Sequence, residues 1–290
     1  MATIRQVRSR IKVAKNIQQI TKAMKMVAAA RLKRAQDRVQ AARPYARAMR
    51  EMMTSLARAV GDSADLPQLE VRAPRNIGFL IVTSDRGLAG SYNSALLRRV
   101  VELLKGYDKE RVRLYVAGRK GIAFLKRRGY NVVQEFAFAN TGVTFGDARD
   151  ITRIISDDFA NGQIDQLFMV YNSFLSAISQ KPTDVQLLPI QTPDADDAAP
   201  GDEVEDYIFE PSADVLMRAL LPRYLEGQTY QALLEATASE HGARMTAMSA
   251  ATDNAGKMIT SLTLQLNRAR QAGITREISE IVGGAEALKG

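Results

Sequence analysis

The two ends of the chain carry helical patterns much longer than those of ordinary globular helices. Residues 3–58 and residues 212–288 each show apolar positions that alternate in steps of three and four, which is the coiled-coil period. Ordinary helices run about 8–20 residues. Two such segments at opposite ends of one chain predict an intramolecular antiparallel coiled coil that projects from a body, a construction typical of a shaft or a lever.

The apolar positions of each segment define what we call its seam. The later seam of the N-terminal segment is Ala28, Leu32, Ala35, Val39, Ala42, Ala46, Met49, Met53 and Leu56. Its earlier seam is Ile4, Val7, Ile11, Ala14, Ile17, Ile20, Met24 and Val27. The C-terminal seam is His241, Met245, Met248, Thr252, Ala255, Ile259, Leu262, Leu266 and Ala269. Successive steps of three between residues 14 and 20 break the strict heptad and predict a local change of supercoil.

Proline and glycine modify this helical prediction. Pro44 predicts a kink in the first helix, and Pro222 predicts either a kink or the start of a new helix. Gly242, Gly256 and Gly273 lie inside the second helix, where each costs up to about 1 kcal/mol relative to alanine. Small residues such as Gly242 and Gly256 would allow two helix backbones to approach closely.

Charge is distributed unevenly along the chain. Fifteen Lys and Arg residues against two acidic ones give residues 1–58 a charge of +13, and the chain total of +8 then leaves −5 for the rest. The N-terminal helix is therefore a basic rod that favours an acidic partner, nucleic acid or an anionic surface. A solvated helix face, the simpler interpretation, usually mixes both signs. No apolar run is long enough to span a membrane, and the periodic, basic N-terminus does not fit a signal peptide.

The middle of the chain alternates strand and helix patterns. Strands are predicted at residues 76–84, 112–117, 132–138, 167–174 and 185–190, and helices at residues 93–104, 119–128 and 147–159. Such alternation favours a largely parallel sheet, and the short last connection predicts an antiparallel final pair. The predicted class is α/β, with a central Rossmann-like open sheet flanked by long terminal helices that form an antiparallel coiled coil. The predicted domains are a coiled-coil helix (1–58), an α/β body (75–191), an acidic mobile loop and connector (192–211) and a second coiled-coil helix (212–290).

The chain offers little that could carry catalysis. It has no cysteine and one histidine, His241, which lies in the seam and is better explained by packing than by base catalysis. Residues 84–91 (SDRGLAGS) follow the first strand and precede a helix, where a phosphate loop would lie. Their spacing fits neither phosphate-loop pattern, so we expect a tight structural turn capped by Ser91 or Asn93. The sequence predicts no catalytic residue, no cofactor and no metal.

Five short segments resemble the gamma subunit of F-type ATP synthase in its bacterial form. They are residues 20–29 (ITKAMKMVAA), 84–88 (SDRGL), 209–212 (FEPS), 250–255 (AATDNA) and 269–275 (ARQAGIT). The resemblance extends over essentially the whole chain, in order, and it is most specific in the two terminal helices.

The resemblance implies a non-catalytic rotor. A coiled-coil shaft would turn inside a ring of three alpha and three beta subunits, and the α/β body would rest as a foot on the epsilon subunit and the membrane c-ring. It implies a peripheral location on the cytoplasmic side of a bacterial plasma membrane, without membrane insertion and without nucleic acid. The residues matching the family's rotor–stator contacts are Lys22, Met24, Lys25, Arg270, Gln271, Thr275 and Glu277.

Two other functions remain possible from the residues alone. A nucleic-acid-binding coiled coil would use the basic helix, although its basic residues are interleaved with the seam and do not form a separate reading region. A nucleotide-dependent enzyme would use the α/β body, and the absence of nucleotide binding would exclude it.

Overall fold

The computed structural model describes residues 3–60, 66–138, 142–191 and 209–287. The predicted acidic loop falls almost entirely outside these ranges. The described chain divides into two compact units, one formed by Met1–Ala28 with Met245–Gly290 and the other by Ala29–Arg244. Helix α1 (Ile4–Val60) and helix α5 (Ala213–Ala287) each contribute to both units.

A five-stranded sheet forms the centre of the Ala29–Arg244 unit. Its strands are β1 (Ile77–Val82), β2 (Val112–Ala117), β3 (Val132–Phe136), β4 (Gln166–Phe174) and β5 (Gln180–Leu188). Their spatial order is β3-β2-β1-β4-β5. The first four are parallel, whereas β5 pairs antiparallel with β4, as predicted. The fifth strand begins five residues earlier than the sequence pattern indicated, because the β4–β5 connection is a tight hairpin.

Helices cover both faces of this sheet, which makes its central strand fully buried. The crossover helices are α2 (Tyr92–Leu104), α3 (Arg119–Arg127) and α4 (Phe145–Ala160). Phe79 and Ile81 of β1 pack with α2 and α3 on one face. Leu80 and Val82 pack on the other face with α4, the end of α1 and the start of α5. A strand buried on both faces reads as a continuous apolar run, and this explains the clear sequence signal of β1.

Both terminal helices continue through their prolines. Helix α1 is 57 residues long and contains Pro44, and α5 is 75 residues long and contains Pro222. The prediction that Pro222 could start a new helix is therefore wrong. Apolar contacts on either side of it, from Met217, Leu221 and Leu225, stabilise the helix against the lost hydrogen bond.

Candidate functional site

Helices α1 and α5 pair antiparallel within the unit formed by Met1–Ala28 and Met245–Gly290. Thr252 Oγ1 donates a hydrogen bond of 2.8 Å to Thr21 Oγ1, and Lys25 Nζ donates one of 3.0 Å to Ser249 Oγ. Residue numbers rise on one helix as they fall on the other, so the pairing is antiparallel as predicted. Gln18 Nε2 lies 3.1 Å from the position that a Cβ on Gly256 would occupy. Gly256 therefore allows close approach of α1, as the sequence indicated.

The early seam of α1 matches the prediction at five of its eight positions, which are buried or half-buried, and differs at the other three. Ile17, Ile20 and Val27 are 47%, 59% and 55% exposed, whereas Thr21 is buried and Gln18 is half-buried. The steps of three and four therefore continue without a break through Gln18 and Thr21, and the predicted heptad break is wrong. The helical period fixes which side chains face the partner helix, and here it places polar residues inside and aliphatic ones outside.

The later seam and the C-terminal seam match the prediction. Leu32, Val39 and Leu56 are buried on α1, and Met248 and Ala255 are buried on α5. The remaining predicted seam positions of these two stretches are at least half-buried.

The three aliphatic side chains that were predicted in the early seam but are exposed form, together with Val13, a second row on α1. We call this row the outer stripe, and its members are Val13, Ile17, Ile20 and Val27, all about half exposed. Each member directly precedes a residue of the observed seam, which runs through Ala14, Gln18, Thr21 and Ala28. The end of α5 presents a similar exposed row at Ile274, Ile278, Ile281 and Val282. Sequence reasoning missed the outer stripe because it assigned Ile17, Ile20 and Val27 to the seam.

The first group of predicted contact residues lies on α1. Lys22 and Lys25 are exposed and Met24 is half-buried. Lys25 lies over the partner helix through its bond to Ser249, whereas Lys22 points to the outside. The two cations thus lie within one helical turn, next to the outer stripe.

The second group lies near the end of α5. Arg270, Gln271, Thr275 and Glu277 are all exposed. Because Thr252 pairs with Thr21, Arg270 lies eighteen residues further along α5, a separation of about 27 Å from the first group. The structure therefore presents two separate polar patches and does not bring the seven residues together.

The loop at residues 84–91 is held by hydrogen bonds from its own neighbours. Asn93 accepts a bond from the Ser84 backbone N–H and donates one of 2.7 Å to Ser84 Oγ. Asp85 accepts from the Arg119 backbone N–H, and the loop turns through positive φ at Leu88 and Gly90. Ser91 makes no side-chain cap, since its ψ of 1° differs from the extended cap geometry, and Asn93 ties the loop instead.

A charged cluster lies where α5 meets this loop. Arg244 donates from Nη2 to Glu240 Oε1 at 2.6 Å and to the Gly87 carbonyl at 3.4 Å. Its Nη1 lies 3.3 Å from His241 Nδ1. The histidine is half-buried in the seam, and the cluster links α5 to the loop by the charge-assisted hydrogen bond from Arg244 to Gly87. Within the described ranges, no group of His, Asp and Glu side chains could hold a metal ion. No helix in the same ranges is long and apolar enough to cross a bilayer.

These features define an α/β subunit of a larger assembly, because rows of exposed aliphatic residues along its long terminal helices require a covering partner. The chain matches the ATP synthase family model over residues 3–288, and the bacterial relatives described next are gamma chains. It therefore belongs to the ATP synthase gamma family.

Similar proteins support this assignment. The gamma chain of Desulfitobacterium hafniense is 48% identical over 291 residues, with each chain covered completely. That of Brevibacillus brevis is 48% identical over 286 residues, with 98% of each chain covered. The central stalk and c-ring structure of the Tetrahymena thermophila mitochondrial ATP synthase contains a chain with 28% identity and a TM-score of 0.63, covering 80% of this chain and 99% of that one. A chain of the Euglena gracilis mitochondrial enzyme, at 19% identity and a TM-score of 0.68, shares the fold and covers 98% of this chain and 94% of that one.

Proposed function

We propose that this chain is the central rotor shaft of an F-type ATP synthase. By rotation it couples proton translocation through the membrane c-ring to ATP synthesis and hydrolysis at the catalytic sites of the alpha and beta subunits. Family membership along the whole chain and the likeness to a central-stalk structure support this function. The subunit itself is non-catalytic.

The outer stripe is the observation that carries the proposal. A free coiled coil would place its aliphatic residues in the seam and its polar residues outside. Here Ile17 and Ile20 lie outside, and Gln18 and Thr21 lie inside. An apolar sleeve formed by three alpha and three beta subunits would cover the outer stripe and the exposed row at the end of α5.

The two polar patches supply the proposed rotor–stator contacts. Lys22 and Lys25 face an acidic loop on a beta subunit, and Met24 lies at the same contact. Further along the shaft the stator is met by Arg270, Gln271, Thr275 and Glu277. Exposed ion pairs are worth up to about 1 kcal/mol each. Weak contacts suit a rotor, since a strong pair would hold it at one angle.

The remaining parts have structural roles in this proposal. Residues 1–58 and 212–290 form the shaft, residues 75–191 form the foot that contacts the epsilon subunit and the c-ring, and residues 192–211 connect the two. The subunit is peripheral on the cytoplasmic side of a bacterial plasma membrane. It needs no cofactor and binds no nucleic acid.

Substitution in the two patches tests the function. Changing Arg270 and Gln271 together to Ala, or Lys25 to Glu, should lower the number of protons pumped per ATP hydrolysed several-fold in the reconstituted complex. The free energy of unfolding of the isolated chain should change by no more than about 0.5 kcal/mol, because the side chains are exposed. Proton pumping and the thermal midpoint of the free subunit are the two measurements.

Lys25→Gln is the matched control. It removes the charge without placing a carboxylate against the acidic beta loop, so it should disturb coupling less than Lys25→Glu. Unchanged pumping in every variant would show that the patches are passive. Failure of the wild-type chain to co-purify with alpha and beta subunits would overturn the rotor function itself.

A further inference from the structure

A basic surface lies at the end of the α/β body where strands β2 and β3 begin. Nine Lys and Arg residues against two acidic ones give residues 105–128 a charge of +7, whereas the rest of residues 75–191 carries −2. A solvated surface usually mixes both signs, so this concentration of positive charge favours an acidic partner. Neither the seam nor the proposed stator contacts include these residues.

The fold brings four of these cations to one edge of the sheet. Strands β2 and β3 are parallel neighbours, so the segments that lead into them end at the same edge. Lys105 follows helix α2, and Lys109 lies in the short turn before β2. Arg127 and Arg128 close α3 shortly before β3. All four are exposed, and we call them the basic edge.

The charge of the basic edge is not neutralised by the chain itself. Two neighbouring cations already have acidic partners, since Arg111 Nε lies 3.8 Å from Asp108 Oδ2 and Lys126 pairs with Glu135. The four members of the basic edge form no ion pair with a carboxylate in the described ranges. Their charges therefore remain available to a partner.

Aromatic rings lie among these cations. Lys109 Nζ lies 5.0 Å from the centre of the Tyr130 ring, and the guanidinium carbon of Arg128 lies 3.9 Å from that of the Phe124 ring. Tyr107, in the turn just before Lys109, is 38% exposed. Basic side chains that pack along aromatic rings, with a tyrosine at the surface, are typical of proteins that lie at the boundary between water and a bilayer.

We propose that the basic edge binds the headgroups of an anionic phospholipid membrane. Each Lys or Arg near a negatively charged membrane surface strengthens binding roughly five-fold, so four of them give a measurable but reversible attraction. This attraction has no fixed direction, and it lets the body turn across the lipid surface. The choice of a membrane over another acidic partner rests on the proposed function, which places the body at the c-ring and therefore beside lipid.

The absence of cysteine allows this contact to be measured at single positions in the full chain. An environment-sensitive fluorophore is attached through Asn131→Cys, next to the basic edge, or through Ser94→Cys, in the first turn of α2 and far from Lys105; both side chains are exposed. With vesicles of equal parts phosphatidylcholine and phosphatidylglycerol, emission of the probe at residue 131 should shift to the blue, and that of the probe at residue 94 should not. Vesicles of phosphatidylcholine alone should give no shift. About 1 M salt, which shortens the Debye length to about 3 Å, should remove it.

Two charge variants separate the basic edge from the basic helix α1. Changing all four members of the basic edge to Gln should remove most of the shift at residue 131. The matched control removes the same charge from exposed positions of α1 and should retain that shift at saturating vesicle concentration; it changes Arg5, Arg8, Arg10 and Lys12 to Gln. If the first variant lowers the thermal midpoint, the pair Lys105→Gln and Arg127→Gln, which leaves both cation–ring contacts in place, should still reduce the shift at least two-fold.

The contrary results are distinct from these. Absence of a shift at residue 131, or an equal shift at residues 94 and 131, would overturn the proposal, because the chain would then have no preferred membrane-binding surface. A shift that survives in a folded variant without the four charges would also overturn it. If soluble polyglutamate changes the emission at residue 131 and anionic vesicles do not, the basic edge binds an acidic polypeptide and the membrane proposal is wrong. Co-purification with alpha and beta subunits tests the rotor function separately, so failure of one proposal is distinguishable from failure of the other.

Discussion

At the scale of single residues, the charged cluster on α5 sets how stability depends on pH. Burial, and then the positive charges of Arg244, Arg31 and Arg34, lower the pKa of His241 to about 4. Burial raises the pKa of Glu240 despite the opposing effect of Arg244. The histidine is therefore neutral near pH 7, and a packed seam residue accounts for it better than a base does.

The lowered pKa of His241 predicts a loss of stability in mild acid. The unfolded chain binds a proton at His241 near pH 6.5, whereas the folded chain binds it only near pH 4. Between these values the unfolded state binds more protons, so the free energy of unfolding falls as the pH falls. His241→Gln should remove up to about 3 kcal/mol of this dependence. Urea unfolding of both proteins at pH 7.5 and pH 4.5 measures it.

The single histidine makes a direct control possible. Its imidazole proton resonance needs no assignment, and its NMR titration should show a midpoint near 4 in the folded chain. Glu240 acts in the opposite direction, because a raised carboxyl pKa destabilises the folded state less as the pH falls. A histidine that titrates near 6.5 in the folded chain would contradict the predicted pH dependence.

At the scale of elements, sequence patterns identified every strand and long helix but not the register of the early seam. The mixed strand direction of the sheet follows from alternation and loop length, which are local signals, whereas the sequence did not predict the strand order. Which residues form the seam depends on the partner helix and not on local sequence alone. Thr21 is buried only because Thr252 lies opposite it, 231 residues away.

Two glycines of α5 provide a matched pair for testing close approach. A Cβ on Gly242 would lie 2.9 Å from the Ala177 carbonyl oxygen in the β4–β5 hairpin, whereas a Cβ on Gly273 would meet nothing within 4 Å. Gly242→Ala should lower the free energy of unfolding by about 1–2 kcal/mol, because overpacking outweighs the gain in helix propensity. Gly273→Ala should raise helix stability by up to about 1 kcal/mol. Thermal unfolding of both variants and of the wild-type chain measures these changes in stability.

The result for Gly242 also corrects the sequence interpretation. Its small size was expected to admit a second helix, as Gly256 does, but the neighbour of Gly242 is a hairpin of the sheet. If both alanine variants were stabilising to the same degree, the hairpin would have to move freely away from α5, and the close contact would not be a constraint.

At the scale of the whole molecule, the chain keeps part of its apolar surface for other proteins. A protein that folds for itself alone buries its periodic aliphatic residues, and the later seam does so at Leu32 and Val39. The outer stripe is periodic too, yet it is exposed. Selection for assembly explains that exposure, since no contact within the described chain needs aliphatic side chains there. In the proposed rotor, the same distinction separates residues that stabilise the subunit from residues that would contact the stator.

Paired substitutions measure that distinction. Changing Ile20 and Val27 of the outer stripe to Gln should move the thermal midpoint of the isolated chain by no more than about 2–4 °C, because both side chains are already in water. Leu32→Gln should destabilise the chain by about 2–5 kcal/mol, because Leu32 is 5% exposed.

For assembly with the alpha and beta subunits, the two variants should rank in the opposite order. The Ile20 and Val27 double variant should bring down less of the alpha and beta subunits at equal folded concentration. Leu32→Gln should assemble normally once it is folded at low temperature. If the double variant were as unstable as Leu32→Gln, the outer stripe would belong to the packing of the chain itself. If it were both stable and fully competent to assemble, the surrounding sleeve would not bind the shaft through apolar contacts.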